Sequence, residues 1–284
     1  MNTGRLAPLA FSTLACPEWD ALEAVAKGAA YGYDAIEWRG GPDGTIRTTW
    51  ADSRRRDLRQ AIRQAGLSSI AVTAYTNLIS GDPAEHARSI AAIVQHVQLA
   101  SDLDAPAVRV FLGIADDGAP EHELRLRAVA GLEEALRRTS GVSVALAIEP
   151  HDDHVRAEQV RPVLDAVADP RLGVVWDIAN AWSAGERPGA GLAAYDGRIV
   201  WVQVKDGTGR GPDWRLCELG AGEVPLGAAL ADLVATITAR GDPIPPISLE
   251  WERAWHPELA PADVVLPAAR RWLTDRLAGV GSPA

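Results

Sequence analysis

The chain has 284 residues, of which 47% are hydrophobic and 23% charged, a balance that supplies apolar surface for a sizeable core and excludes a disordered chain. Its formal net charge of -10 would repel nucleic acid and anionic membrane surfaces, and no apolar run approaches the roughly 20 residues that cross a bilayer, so we expect neither partner. The two cysteines, Cys16 and Cys217, are too few for a disulfide framework, and residues 1–15 lack the features of a signal peptide, which predicts a cytoplasmic protein.

Short apolar segments alternate with longer segments of helical periodicity along the chain. Eight segments have the composition of strands: 9–14, 35–38, 69–73, 107–111, 144–149, 173–177, 199–204 and 247–250. The helices between them include 20–32, 83–103, 120–139, 226–240 and 262–277, and the weakest is the sixth, around 190–194. Such alternation is typical of βα units, and barrels of eight units commonly have about 250 residues. The sequence therefore predicts a single α/β domain over residues 1–284, a (β/α)8 TIM barrel, with a frayed tail at residues 279–284.

Two long loops follow predicted strands. Residues 40–50 follow the second strand, and residues 206–223, which are rich in glycine and contain Trp214, follow the seventh. Barrel enzymes build their sites from loops of this kind. Trp214 is a candidate for stacking against the apolar face of a bound sugar, although core packing would also explain a tryptophan.

Polar side chains occupy the ends of four adjacent predicted strands. Glu149 ends strand five, Asp177 ends strand six, Gln203 lies on strand seven and Glu250 ends strand eight. Because the carboxyl ends of parallel strands converge, these acids would repel one another unless they were protonated or bound to a cation. Mg²⁺ and Mn²⁺ prefer carboxylate and amide oxygens. The four residues therefore predict a site for one divalent ion, with Mn or Mg favoured over Co or Zn.

Simpler interpretations exist for each polar residue taken alone. A strand-end acid can cap the following helix or pair with an arginine, and Glu37 can pair with Arg39, two residues further along the chain. His151 is either a solvated loop residue or a general base or substrate contact at the rim. Lys205 either pairs with Asp206 or holds a substrate oxygen or phosphate. Four polar residues at the ends of adjacent strands together favour a functional site. Glu37 supports this interpretation, and we expect it to contact the substrate.

The order of several segments resembles the xylose isomerase-like barrel superfamily, in the branch of sugar phosphate isomerases/epimerases. The resemblance covers nearly the whole chain. It is carried by FSTLACPEWDALEAVAKGAAYGYDAIEWRG, APAVRVFLG, LAIEPH, VVWDIAN, VQVKDG, LGAGEVP and SLEWERAWHPEL.

This resemblance implies that one metal is held by Glu149, Asp177, Gln203 and Glu250. The family's usual histidine on strand seven is Gln203 here, and Asn180 stands where many sugar epimerases have a histidine that contacts the substrate. A glutamine ligand is similar to dehydratase-type members, such as 3-dehydroshikimate dehydratases, and to lyases of oxidised C-glycosides. Endonuclease IV, in the same superfamily, needs a histidine cluster for three zinc ions. The six histidines here, few of them near strand ends, and the acidic charge argue against a nuclease.

The predicted function is a metal-dependent isomerase or epimerase of a keto sugar, sugar phosphate or polyol. Such an enzyme removes a proton next to a carbonyl and stabilises an enediolate. Glu149, Glu250 or His151 would move the proton, and Lys205 and Arg109 would bind substrate oxygens. One alternative is a lyase of the same fold that eliminates water or an aglycone. Another is a non-catalytic sugar-binding barrel, and the sequence leaves open a homo-oligomer or a partner subunit.

Overall fold

The computed structural model of the protein describes residues 6–280, and its centre is a closed barrel of eight parallel strands. Each strand pairs with its neighbours in the chain, and the first strand pairs with the last, Leu9 lying opposite Ile247. The barrel strands are Leu9–Ser12, Ala35–Arg39, Ser68–Thr73, Ala107–Val110, Ala145–Ile148, Leu172–Asp177, Ile199–Val204 and Ile247–Leu249. The fold is therefore the predicted (β/α)8 TIM barrel in a single domain.

Helices surround the barrel and connect its strands. The α-helices are Ala21–Ala30, Asp52–Gln64, Pro83–Asp102, Glu121–Arg138, Ala157–Ala166, Ile178–Ser183, Pro188–Ala194, Leu226–Arg240 and Ala262–Val280. Two 3-10 helices, Thr13–Ala15 and Gly211–Asp213, and a two-stranded antiparallel sheet of Asp206–Thr208 and Arg215–Cys217 lie in the loops. None of the helices in residues 6–280 has the length and apolar character needed to cross a membrane.

Two differences from the predicted elements concern helices. The weak sixth helix is a pair of short helices, Ile178–Ser183 and Pro188–Ala194, because the glycine and proline between Ser183 and Gly189 interrupt the helical backbone. The last helix continues to Val280, which packs against the core, so residues 279–280 of the predicted frayed tail are helical. Residues 281–284 lie outside the described part of the chain.

The pleat of the strands divides the core into two layers. Side chains such as Phe11 and Trp38 point outward and pack under the helices. The inward positions at the bottom of the barrel form a second, smaller cluster, consisting of Ala10, Ala35, Ile70, Ala71, Ala107, Ala147, Val175 and Trp201. Small alanines dominate this cluster because a closed eight-stranded barrel leaves room for few large side chains. One further step along each strand brings the next inward side chain to the carboxyl end, which is where the polar residues lie.

Candidate active site

Seven polar side chains fill the upper part of the barrel interior, and none is more than 3% exposed. They are Glu37, Arg109, Glu149, Asp177, Gln203, Lys205 and Glu250. Each lies two positions beyond an inward residue of the lower apolar cluster or continues that alternation, as Glu149 does after Ala147 and Gln203 after Trp201. The closed barrel thus brings together residues that are more than 200 positions apart in sequence.

Three carboxylates form the centre of this group. Glu149, Asp177 and Glu250 each offer one oxygen, and these oxygens lie within 4.8 Å of one another. Asp177 is also the N-cap of the helix Ile178–Ser183, because its Oδ1 accepts hydrogen bonds from the backbone N–H groups of Ala179 and Asn180, both at 2.8 Å. The simpler interpretation of Asp177 as a helix cap is therefore correct for one oxygen, and the other oxygen faces the barrel interior.

Two buried cations contact the same carboxylates. Arg109 Nη1 lies 2.8 Å from Glu149 Oε2 and 3.6 Å from Glu250 Oε1. Lys205 Nζ lies 3.0 Å from Asp177 Oδ2 and 2.6 Å from Glu250 Oε2. It also lies 2.6 Å from Glu252 Oε1. Lys205 is thus part of the carboxylate cluster.

The alternative partner of Lys205, Asp206, has a different role. Its carboxylate is buried and accepts hydrogen bonds from the backbone N–H groups of Gly207, Gly220, Gly222 and Val224 at 2.8 to 3.2 Å. Asp206 therefore holds the glycine-rich loop against the end of strand seven. The simpler interpretation of Lys205, an ion pair with its neighbour in sequence, is therefore replaced by ion pairs across the barrel.

Gln203 leaves one amide oxygen without a partner. Its Nε2 donates to Glu37 Oε1 at 2.7 Å and to Glu250 Oε1 at 3.1 Å. Lys205 and Arg109 lower the pKa of Glu250, so its ionised carboxylate only accepts and the amino group of Gln203 must face it. Gln203 Oε1 is buried and, among the described residues, accepts no hydrogen bond. An unpartnered buried acceptor costs free energy unless a cation or donor meets it.

Burial and neighbouring charges together shift the pKa values of the acids in different directions. Burial and the nearby Glu250 raise the pKa of Glu37 to about 8. Burial also raises the pKa of Glu149 to about 7, against the opposing effect of Arg109. Burial alone would raise the pKa of Glu250, but Lys205 and Arg109 lower it below its ordinary value. Although burial opposes its charge, the surrounding carboxylates raise the pKa of Lys205 well above its usual range, so the lysine stays protonated.

The residues present fit a divalent cation. Five acids, Glu37, Glu149, Asp177, Glu250 and Glu252, surround two cations, Arg109 and Lys205, so negative charge is in excess when all are ionised. Burial is the largest cause of the raised pKa values of Glu37 and Glu149, and the neighbouring carboxylate of Glu250 adds to both shifts. Three carboxylates within 4.8 Å and the free amide oxygen of Gln203 offer the hard oxygen donors that such an ion takes. The buried carboxylate triad can therefore bind a metal.

A cavity of about 450 Å³ opens above the carboxylates and is walled by aromatic rings. Tyr75 and Trp255, 41% and 51% exposed, meet edge to face with ring centroids 6.1 Å apart. Phe111 stacks against His151 at 4.5 Å, and the Arg109 guanidinium lies 4.2 Å from the Phe111 ring. Glu149 and Glu250 reach the floor of the cavity.

The other predicted residues differ in their distance from this cavity. His151 lines it and is partly exposed, with Nδ1 2.8 Å from Asp152. Asn180 Nδ2 donates to Glu149 Oε1 at 3.2 Å. Glu37 contacts Gln203, and the alternative pairing with Arg39 is absent from the ion pairs of the described residues. Trp214 packs against Trp182, with ring centroids 6.1 Å apart, and is not among the residues that line the cavity.

Sequence reasoning missed three residues of the site. Tyr75 and Phe111, which carry no charge themselves, lie just past strands three and four, and Glu252 lies two positions past Glu250. The alternation that selected Glu250 continues to Glu252, and the same alternation leads from Thr73 to Tyr75. Continuing the alternation of inward and outward side chains beyond the strand ends would have identified Glu252 and Tyr75.

Comparisons with known proteins agree with this fold. The family profile described as "Xylose isomerase-like TIM barrel" matches residues 25–276. No curated protein matches the chain in sequence.

Several solved structures share the architecture. A structure of IOLI protein with a binding zinc atom is 19% identical, with a TM-score of 0.79, covering 97% of this chain and 100% of that one. A D-tagatose 3-epimerase-like protein is 17% identical, with a TM-score of 0.77, and the match covers 96% of this chain and 98% of that one. An L-ribulose 3-epimerase is 18% identical, with a TM-score of 0.76, and the match covers 96% of this chain and 95% of that one. At these identities the likeness supports the fold. Together with the family profile over residues 25–276, it shows that the chain belongs to the xylose isomerase-like TIM barrel family.

Proposed function

We propose that the protein is a divalent-metal-dependent isomerase or epimerase of a keto sugar, sugar phosphate or polyol. The observation that carries the proposal is the pair Glu149 and Glu250. Both are buried, line one small cavity and offer oxygens within 4.8 Å of each other, with Glu149 2.8 Å from Arg109 and Glu250 2.6 Å from the ammonium group of Lys205. Two carboxyl groups that face one cavity from different strands and pair with different cations are the arrangement expected of a base and an acid acting on one substrate.

Different residues of the site remove a proton, return a proton and stabilise the developing charge. Glu250, kept ionised by Lys205, takes the proton next to the substrate carbonyl, and Glu149 returns a proton to the product. Arg109 and Lys205 supply positive charge beside the oxygens on which negative charge develops. Tyr75 and Trp255 pack against the apolar face of the sugar. A divalent metal held by these residues would supply Lewis-acid polarisation of the carbonyl oxygen.

Glu149, Asp177, Gln203 and Glu250 would hold the metal. An all-oxygen donor set favours Mn²⁺ or Mg²⁺ over the softer zinc, although the IOLI structure carries zinc. The epimerases among the similar structures act on ketoses, as their names state, which supports a small sugar as substrate. His151 at the rim, stacked on Phe111, is placed to contact that sugar.

A lyase of the same fold is the second candidate. Gln203 favours it, because the resemblance places a histidine at that position in sugar epimerases and a glutamine in dehydratase-type members. Elimination begins with the same proton removal and differs only in the departure of a group from the neighbouring carbon. The two functions therefore use the same residues and differ in their products.

Reaction of the Mn²⁺-loaded protein with a panel of keto sugars in D₂O tests the proposal. We expect a new isomer that carries solvent deuterium at the carbon next to the carbonyl, and no reaction after treatment with a chelator. Elimination would instead give an ultraviolet-absorbing enone or a released group. A metal-loaded protein that binds a sugar of the panel but exchanges no proton with solvent would contradict catalysis and favour a sugar-binding barrel.

A further inference from the structure

A second cavity, also about 450 Å³, lies at the same end of the barrel above the first two strands. The loop after strand two, residues 40–50, and the segment after strand one form its walls. Three arginines line it, Arg39, Arg47 and Arg54, together with the aromatic rings of Trp19 and Trp50. None of these arginines takes part in the carboxylate cluster described above.

Arg39 is the buried member of the three. It is 9% exposed, its Nη1 donates to the backbone oxygen of Asp43 at 2.7 Å, and its guanidinium stacks 4.5 Å from the ring centroid of Trp255. Its Nε is buried and has no hydrogen-bond partner among the described residues. A charged donor left without a partner is costly, and an acceptor bound in the cavity would remove that cost.

Within residues 6–280, none of the three arginines forms an ion pair with a carboxylate. Arg54 instead stacks on Trp50, with Cζ 3.8 Å from the ring centroid.

Three acids, Glu18, Asp20 and Asp43, also line this cavity, and two of them have partners of their own. Glu18 pairs with Arg253 at 3.2 Å, and Asp20 accepts from the backbone N–H of Glu23 at 2.8 Å as a helix cap. Asp43 is exposed at the edge of the loop. Three guanidinium groups that pair with no carboxylate of the described residues, one of them with a buried Nε that has no partner there, make this cavity a candidate site for an anion, since a guanidinium binds phosphate or carboxylate through paired hydrogen bonds.

Trp255 joins the two cavities. It lines the cavity above Glu149 and Glu250, and it carries the stacked guanidinium of Arg39, which lines the second cavity. We propose that the arginine cavity is an anion subsite of the active site and binds a phosphate or carboxylate group of the substrate. This assignment to substrate rests on the proposed function, and it narrows the substrate to a sugar or polyol that carries a negative charge.

Binding of inorganic phosphate tests the subsite without any turnover. Titration of the protein with phosphate at constant ionic strength, followed by calorimetry and by tryptophan fluorescence, should show saturable binding that weakens at least about tenfold in Arg39→Gln and in Arg54→Gln. Arg54 is exposed, so its variant remains informative if loss of the buried Arg39 impairs folding. Arg56→Gln, on the exposed surface of the same helix, is the matched control and should bind as the wild type does. No binding, or binding unchanged in both cavity variants, would overturn the subsite.

A second arm distinguishes a substrate group from a free anion. We compare the binding of neutral keto sugars, their phosphate esters and the corresponding keto acids to the Mn²⁺-loaded protein. The charged compounds should bind at least about tenfold more tightly, and Arg54→Gln should remove the difference. If phosphate binds but charged and neutral compounds bind equally, the cavity takes a free anion and the substrate assignment is wrong. Both experiments measure binding and need no turnover. If the proposed reaction does not occur, they still show whether the arginine cavity binds an anion.

Discussion

Replacing Lys205 with methionine should lower the free energy of unfolding of the metal-free protein by about 3–5 kcal/mol. The ammonium group lies 2.6 to 3.0 Å from three carboxylates, and Lys205 is 2% exposed. Removing it leaves Asp177 and Glu250 buried without their cation, which is the condition under which breaking a buried pair is most costly. Urea unfolding in the presence of a chelator measures the loss, and added Mn²⁺ should restore more stability to this variant than to the wild type.

Lys27→Met is the matched control for Lys205→Met. Lys27 also contacts two acids, Glu23 at 3.1 Å and Asp263 at 2.9 Å, but these ion pairs are on the surface. Solvent screens them, so we expect a much smaller loss of stability and no dependence on metal. A Lys205→Met variant as stable as Lys27→Met in chelator would show that the buried cluster does not depend on the lysine.

Replacing Glu250 with glutamine should reduce turnover by about a thousandfold at saturating metal. The carboxylate is kept ionised by Lys205 and Arg109, and its replacement by an amide removes the group that takes the proton. The fold should persist, because glutamine has nearly the same shape and Arg109 keeps its 2.8 Å contact with Glu149. Initial rates, with circular dichroism and thermal unfolding as checks on folding, measure the effect.

Glu258→Gln provides the comparison for Glu250→Gln. Glu258 is exposed, lies eight positions further along the chain and contacts only His256 among the described ion pairs. Its variant should retain the activity of the wild type. Activity retained in folded Glu250→Gln would rule out Glu250 as the base and direct attention to Glu149 and His151.

The barrel and its polar floor were predictable from sequence because both follow from local alternation. Each strand is a short apolar run, and the period of two places Glu149, Asp177 and Glu250 on the inward face at the same end. The eight strands were located to within two residues at each end. Gln203, chosen as an oxygen donor, has a free buried oxygen beside the three carboxylates.

The remaining features depend on contacts between distant segments, which a local pattern does not contain. Lys205 has an acid next to it in sequence, yet it turns inward to Asp177 while Asp206 binds the loop. Trp214 follows a strand but packs on Trp182. The stacking of Arg39 on Trp255 joins residues more than 200 positions apart, so no periodicity in the sequence indicates it.

The most direct test of the account is elemental analysis of the protein after reloading with Mn²⁺, compared with Glu149→Ala and Asp177→Ala. The carboxylates of Glu149 and Asp177 follow different strands, but each offers an oxygen to the triad whose oxygens lie within 4.8 Å of one another. We predict about one ion per chain in the wild type and none in either variant, since loss of a carboxylate ligand leaves too few oxygens to hold the ion. A wild-type protein that retains no divalent metal after reloading would contradict the metal site and, with it, the proposed reaction.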